Sequence, residues 1–135
     1  MKKLFVDTNI FLRYLTGDDN VKYEHCLSML KKTHEGKLVI ATSNMVIAEL
    51  IWTLQSYYKV PKADIIEKIS LIVGEKHLII PDKDIIAEAL VIFGRKKVDY
   101  IDAYNAVFMR HHGMDTICSY DEDFDALEGV RRTEP

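Results

Sequence analysis

Short apolar runs rich in β-branched residues alternate along this chain with longer segments of helical period. The runs that predict strands are residues 3–6, 38–41, 78–80 and 116–118, with a last strand near Val130. The segments that predict helices are residues 10–15, 21–34, 45–58, 62–73, 84–93 and 100–112. Because strands that alternate with helices pair in parallel, the pattern predicts an α/β fold with a central, mainly parallel sheet of four to five strands.

Length and composition narrow the class of protein. A chain of 135 residues can bury a proper core, so we expect residues 1–135 to form a single domain. The net charge of −3 does not indicate a nucleic-acid binder, although a local basic patch would be enough for one. No apolar stretch approaches the roughly 18 residues of a membrane span, so a cytoplasmic location is expected.

Acidic residues stand against apolar surroundings at four places in the sequence. These places hold Asp7, Glu49, Asp102, and the pair Asp121 and Asp123. Ligands of parallel sheets gather beyond the carboxyl ends of the strands, and Asp7 and residues 119–123 each follow a predicted strand. We therefore expect these two places to share one edge of the sheet. Glu49 lies between core-facing residues, and its position is predicted to lean towards the interior.

Each acid also has an ordinary structural explanation. Asp7 and Asp99 can cap the helices that follow them. Asp102 would then stand in a first helical turn, where the helix dipole favours it. Glu49 can border the apolar face of its helix, and residues 121–123 can form a solvated turn.

Grouped together, the acids would need a cation. Two carboxylates about 4 Å apart repel by roughly 4 kcal/mol at an effective dielectric near 20. Oxygen ligands without His or Cys suit Mg²⁺ or Mn²⁺ better than Zn²⁺. Such a site indicates phosphate chemistry, and no side chain resembles a covalent nucleophile beside a base. Hydrolysis by a metal-activated water is the simplest mechanism.

Four motifs resemble those of PIN-domain proteins, in the family's order and spacing. The segment VDTN at residues 6–9 resembles the end of their first strand, and VIAEL at residues 46–50 resembles their Glu-bearing helix. DYIDA at residues 99–103 resembles the motif that opens a later helix. SYDEDFD at residues 119–125 resembles their closing motif. The matches span nearly the whole chain.

The nearest type is the VapC-like ribonuclease toxin of VapBC toxin–antitoxin modules. The resemblance implies a three-layer α/β/α sandwich and a Mg²⁺- or Mn²⁺-dependent endoribonuclease. It also implies a homodimer and a small antitoxin partner. The residues that match the family's acidic quartet are Asp7, Glu49, Asp102 and Asp121. By this resemblance, Asp7 and Asp102 are the principal metal ligands, Glu49 holds or activates water, and Asp123 competes with Asp121 for the fourth place.

Other positions are matched less specifically. Asn9 and Ser119 match polar positions that orient the acids, and Asp99 matches an acid of one subset of the family or is only a cap. The candidates for RNA backbone contacts are Arg13, Arg95, Lys96 and Lys97. These residues can instead be ordinary solvated charges, and Arg13 can instead pair with an acid or receive the tail of the antitoxin.

A set of apolar residues can form an antitoxin groove or a dimer face, or can be part of the core: Trp52, Tyr57 and Tyr58, with Leu12 and Leu15.

Parts of the sequence pattern also fit other classes of protein. A haloacid-dehalogenase-type phosphatase needs a second Asp two residues after the first, where this chain has Asn9. The main alternative to a nuclease is a catalytically silent PIN-fold module that binds RNA or protein.

Overall fold

The computed structural model describes residues 3–135. Its helices are α1 (Thr8–Thr16), α2 (Asn20–His34), α3 (Asn44–Ser56), α4 (Lys62–Val73), α5 (Lys83–Arg95) and α6 (Tyr100–His111). Its strands are β1 (Lys3–Phe5), β2 (Val39–Ala41), β3 (Leu78–Ile79), β4 (Thr116–Cys118) and β5 (Arg131–Thr133). A 3₁₀ helix, Glu122–Ala126, lies between the last two strands. The chain forms two compact units, Met1–Pro81 and Asp82–Pro135.

The first unit carries a three-stranded parallel sheet in the order β1-β2-β3. Ile40 in the central strand faces Leu4 of β1 and Leu78 of β3 in the register, and it is almost fully buried. Helices α1, α3 and α4 supply most of the rest of this unit's core with apolar residues at helical spacing, whereas α2 buries only Cys26 and Thr33. The fully buried side chains among them are Phe11, Ile47, Leu50, Ile51, Leu54, Ile65 and Ile69.

The second unit combines a helix pair with a two-stranded parallel sheet. Helices α5 and α6 pack against each other, and the buried small residues Ala89 and Ala103 lie one on each helix. Strands β4 and β5 pair in register, with Ile117 opposite Arg132. The connection between them holds the 3₁₀ helix, whose Phe124 is buried. This connection carries the last acidic motif.

The predicted α/β class with parallel strands is confirmed. Every recorded strand pairing is parallel, and all six predicted helices and all five predicted strands are present. The strands form one three-stranded sheet and one two-stranded sheet. The 3₁₀ helix stands where the alternative interpretation placed a solvated turn, and Asp121 caps it.

Local signals explain where several helices begin and end. Asp19 and Ser43 cap α2 and α3, since each side chain accepts a hydrogen bond from the backbone N–H three residues later. Gly113 follows α6 with φ of 72°, a backbone conformation that glycine adopts without strain. Across residues 3–135, none of the helices is both long and apolar enough to cross a membrane.

Candidate metal centre

Three carboxylates of the second unit lie close together. Asp102, Asp121 and Asp123 each offer one oxygen atom, and these atoms lie within 4.8 Å of one another. We call these three residues the acid cluster. Asp102 stands in the first turn of α6, while the other two follow β4. A set of oxygen donors at this spacing, without His or Cys, fits a hard divalent cation such as Mg²⁺ or Mn²⁺.

A chain of short-range hydrogen bonds shapes the segment after β4. The Ser119 hydroxyl accepts a hydrogen bond from the Asp121 N–H at 3.0 Å. Asp121 Oδ1 in turn accepts one from the Asp123 N–H at 2.9 Å, which caps the 3₁₀ helix. The sequence left open which of Asp121 and Asp123 is the fourth acid. Both offer an oxygen to the acid cluster.

Asp102 is the half-buried member of the acid cluster, and its surroundings disfavour its charge. Burial raises the pKa of the Asp102 carboxyl above its ordinary value, and neighbouring carboxylates raise this pKa further. In decreasing order of effect, these carboxylates are Asp121, Asp99 and Asp123. A divalent cation would relieve the same repulsion by neutralising the charges. The electrostatics of Asp102 therefore fit a cation site.

The raised pKa of Asp102 predicts how the metal-free protein responds to pH. A carboxyl with a higher pKa in the folded state binds more protons there than in the unfolded chain, so its contribution to stability falls as the pH rises. In EDTA, the melting temperature of the wild type should fall relative to that of Asp102→Asn as the pH rises from about 4 to about 7. Parallel melting curves for the two proteins would contradict this account of the acid cluster.

Asp7 occupies the N-cap position of α1. Its Oδ1 accepts a hydrogen bond from the Thr8 N–H at 2.8 Å, so the capping alternative describes a real contact. The carboxylate is nevertheless exposed, and it belongs to the first unit. Next to it, the Thr8 hydroxyl is buried without a hydrogen-bond partner among residues 3–135. Thr8 was not singled out from the sequence, although it stands within the motif shared with PIN proteins.

The prediction that Glu49 leans towards the interior is wrong. The core face of α3 consists of Val46, Ile47, Leu50, Ile51 and Leu54. At about 100° per residue, position 49 lies roughly 130° from the centre of this face. Glu49 is therefore exposed, on the same side of α3 as the exposed residues Met45 and Trp52.

The remaining candidates are mostly surface residues. Arg13 pairs with Asp18 at 3.1 Å, as the alternative interpretation allowed. The candidate basic residues at the end of α5 are all exposed; they are Arg95, Lys96 and Lys97. Asn9 is exposed in the first turn of α1, and Asp99 stands at the N-cap of α6 without a side-chain capping bond. Trp52 and Tyr57 are exposed, so neither is part of the core.

Comparison with known proteins decides the family. The family model of the PIN domain matches residues 4–130. The chain belongs to the PIN-domain family. This PIN domain is 23% identical over 130 residues to a protein named VapC ribonuclease from Aquifex aeolicus (strain VF5), with 96% of this chain and 95% of that protein covered.

One solved structure with a similar chain is VapC20 of Mycobacterium tuberculosis, described as a sarcin-ricin loop cleaving toxin. That chain is 18% identical, the match covers 91% of this chain and 93% of that one, and the TM-score is 0.43.

Proposed function

We propose that this PIN domain is a metal-dependent endoribonuclease that hydrolyses RNA phosphodiester bonds, and that it is the toxin of a type II toxin–antitoxin pair. The observation that carries the proposal is the acid cluster, whose members stand at the positions where the sequence resembles the family's acidic motifs. The full-length similarity to a protein named VapC ribonuclease supports RNA as the substrate.

The proposed roles of the acids follow the resemblance of their motifs to those of the PIN-domain family. Asp7 and Asp102 are the principal ligands of Mg²⁺ or Mn²⁺, Asp121 and Asp123 supply the remaining charge, and Glu49 orients the attacking water. A bound cation supplies charge neutralisation at the phosphate and lowers the pKa of a bound water. The half-buried carboxylate of Asp102 supports a ligand role, since its own neighbours disfavour the ion-free charged state. Exposed Glu49 is free of core packing and accessible to solvent.

RNA also needs contacts to its backbone. We assign these to Arg95, Lys96 and Lys97, which are exposed at the end of α5 and stand a few residues before α6. Arg13, which pairs with Asp18, is a further candidate.

The assembly belongs to the same proposal. One family model spans residues 4–130, which supports a single PIN domain built from both compact units. Exposed apolar side chains on α3, including Met45 and Trp52, support a homodimer or an antitoxin contact. We propose a cytoplasmic homodimer that is inhibited by a small antitoxin protein.

Loss of the Asp7 charge tests the proposed activity. Wild-type protein should cleave single-stranded RNA in Mg²⁺ or Mn²⁺ and stop when EDTA is added, and Asp7→Asn should abolish cleavage. Asparagine caps helices as well as aspartate does, so the variant keeps the helix start and loses only the charge. The measurement is the initial rate on a fluorescent RNA oligonucleotide.

The matched control is Asp19→Asn, which makes the same change at the N-cap of α2. It should cleave at the wild-type rate. Cleavage that persists in Asp7→Asn would contradict the assignment of Asp7 as a principal metal ligand. Wild-type protein that binds RNA but cleaves none, with either cation and across varied sequences, would favour the catalytically silent binding module instead.

A further inference from the structure

Arg132 makes a two-pronged contact with the 3₁₀ helix. It lies on β5, and its side chain is only 17% exposed. Its Nε donates to Asp125 Oδ1 at 3.0 Å and its Nη2 donates to Asp125 Oδ2 at 3.3 Å. Such forked pairs between a guanidinium and a carboxylate fix geometry as well as adding energy. Arg132 therefore holds the 3₁₀ helix in one orientation against β5.

The same guanidinium also holds the other end of the acidic segment. Arg132 Nη1 donates to the backbone carbonyl of Ser119 at 3.2 Å, and Glu134 lies 3.5 Å from the same nitrogen. One side chain thus contacts both residue 119 and residue 125. Asp121 and Asp123 lie between these two anchoring points. Their carboxylates point towards Asp102 in the acid cluster, while Asp125 is used for the contact with Arg132.

We propose that Arg132 is a positioning residue for the metal centre: it fixes the segment from Ser119 to Asp125 so that Asp121 and Asp123 stay within reach of Asp102. The inference rests on the proposed function in that the cluster is taken to hold a divalent cation. Arg132 itself does not touch the cation or the RNA, because its donors are engaged by Asp125 and by Ser119. Partners that orient metal ligands typically change metal affinity 10- to 100-fold when they are removed.

Whether metal affinity rises or falls when Arg132 is replaced separates a positioning role from a purely electrostatic one. A positive charge near the acid cluster repels a cation, so removing that charge alone should strengthen metal binding. Loss of a geometric restraint should weaken metal binding, because the cation would then have to order the carboxylates itself, and the entropy lost in doing so reduces the affinity. Arg132→Gln removes both the charge and the fork, and our proposal requires weaker binding. Arg132→Lys keeps the charge and loses the fork, so it should also bind more weakly.

Arg131 offers a matched control on the same strand. It is the neighbouring residue, so its side chain leaves the opposite face of β5. It pairs with Asp115 at 3.2 Å, and its side chain is 76% exposed. Arg131→Gln removes the same charge and one ion pair from the same strand. It should therefore bind Mn²⁺ at least as tightly as the wild type.

The experiment is isothermal titration calorimetry, in which Mn²⁺ is titrated into the whole chain in the absence of RNA. Arg132→Gln should bind Mn²⁺ about 10- to 100-fold more weakly than the wild type. Asp125→Asn breaks the same fork from the other side and should weaken binding in the same direction. The double variant should be no weaker than the more affected single variant, as expected for two residues acting through one contact. Wild-type or tighter affinity in folded Arg132→Gln overturns the proposal.

Further readouts keep the test decisive. If Arg132→Gln does not fold, Arg132→Lys carries the comparison, because it keeps the charge and loses only the fork, and wild-type affinity in Arg132→Lys then overturns the proposal. In cleavage assays, the rate lost in Arg132→Gln should return as Mn²⁺ is raised, with KM for RNA unchanged. Wild-type protein that binds Mn²⁺ but cuts no RNA would refute the proposed function and leave the role of Arg132 standing. Absence of Mn²⁺ binding in the wild type would refute both.

Discussion

Replacing Asp102 by Asn should lower the rate of RNA cleavage by at least about 1000-fold, which is roughly 4 kcal/mol of transition-state stabilisation at 1.36 kcal/mol per tenfold change. Asp102 is the half-buried member of the acid cluster, and the cluster's other two acids come from a different element. Asn keeps the size of the side chain and removes the charge that a cation needs. Single-turnover cleavage of an RNA oligonucleotide in Mg²⁺ measures the effect.

The same substitution should also remove the response to metal. Added Mn²⁺ should raise the melting temperature of the wild type, because a ligand that binds only the folded state stabilises it. Mn²⁺ should raise the melting temperature of Asp102→Asn much less. Asp84→Asn is the control, since Asp84 is also an acid in the first turn of its helix, α5, but is exposed and lies outside the acid cluster. Cleavage by Asp102→Asn within tenfold of the wild type would exclude Asp102 as a principal ligand.

Replacing Phe93 by Ala should cost about 3–5 kcal/mol of unfolding free energy, the range measured for buried Phe-to-Ala changes. Phe93 is fully buried on α5. Its ring meets the Tyr100 ring edge-on, with centroids 6.1 Å apart. Tyr100 is the first residue of α6, so the cavity would open beside the turn that holds Asp102. Urea unfolding monitored by circular dichroism gives the free energy.

Val91→Ala on the same helix is the matched comparison. Val91 is 49% exposed, so its truncation should cost well under about 1 kcal/mol. Phe93→Ala should also weaken Mn²⁺ binding under conditions where the protein is still folded, because α6 would lose its packed anchor. A loss of stability for Phe93→Ala no larger than that for Val91→Ala would show that the α5–α6 contact does not have the packing described.

The order of helices and strands could be predicted from the sequence because it depends on the local spacing of apolar residues. Helix α4 begins and ends at the predicted residues, Lys62 and Val73. Glu49 shows the limit of the same reasoning. Apolar neighbours in sequence do not share a helix face with it, and only the angle around the helix axis decides its exposure.

The supports of the acid cluster were harder to predict. Asp102 and the motif at residues 119–125 were recognised as motifs, and the structure brings Asp102, Asp121 and Asp123 together. Arg132 carried no signal in the sequence, because its role depends on a pairing between β4 and β5 that places it beside Ser119 and Asp125. The grouping of Asp7 and Glu49 with the acid cluster stays a prediction.

The two sides of the acid cluster are encoded in different ways. The Ser119–Asp121–Asp123 hydrogen bonds join residues two positions apart, so a stretch of a few residues specifies this side. Asp102 instead depends on the packing of a whole helix pair. Mutations scattered through that core can therefore retune the distance between the two sides in small steps without touching any acid. Drift in the core would offer evolution a gradual control over the spacing of the three carboxylates.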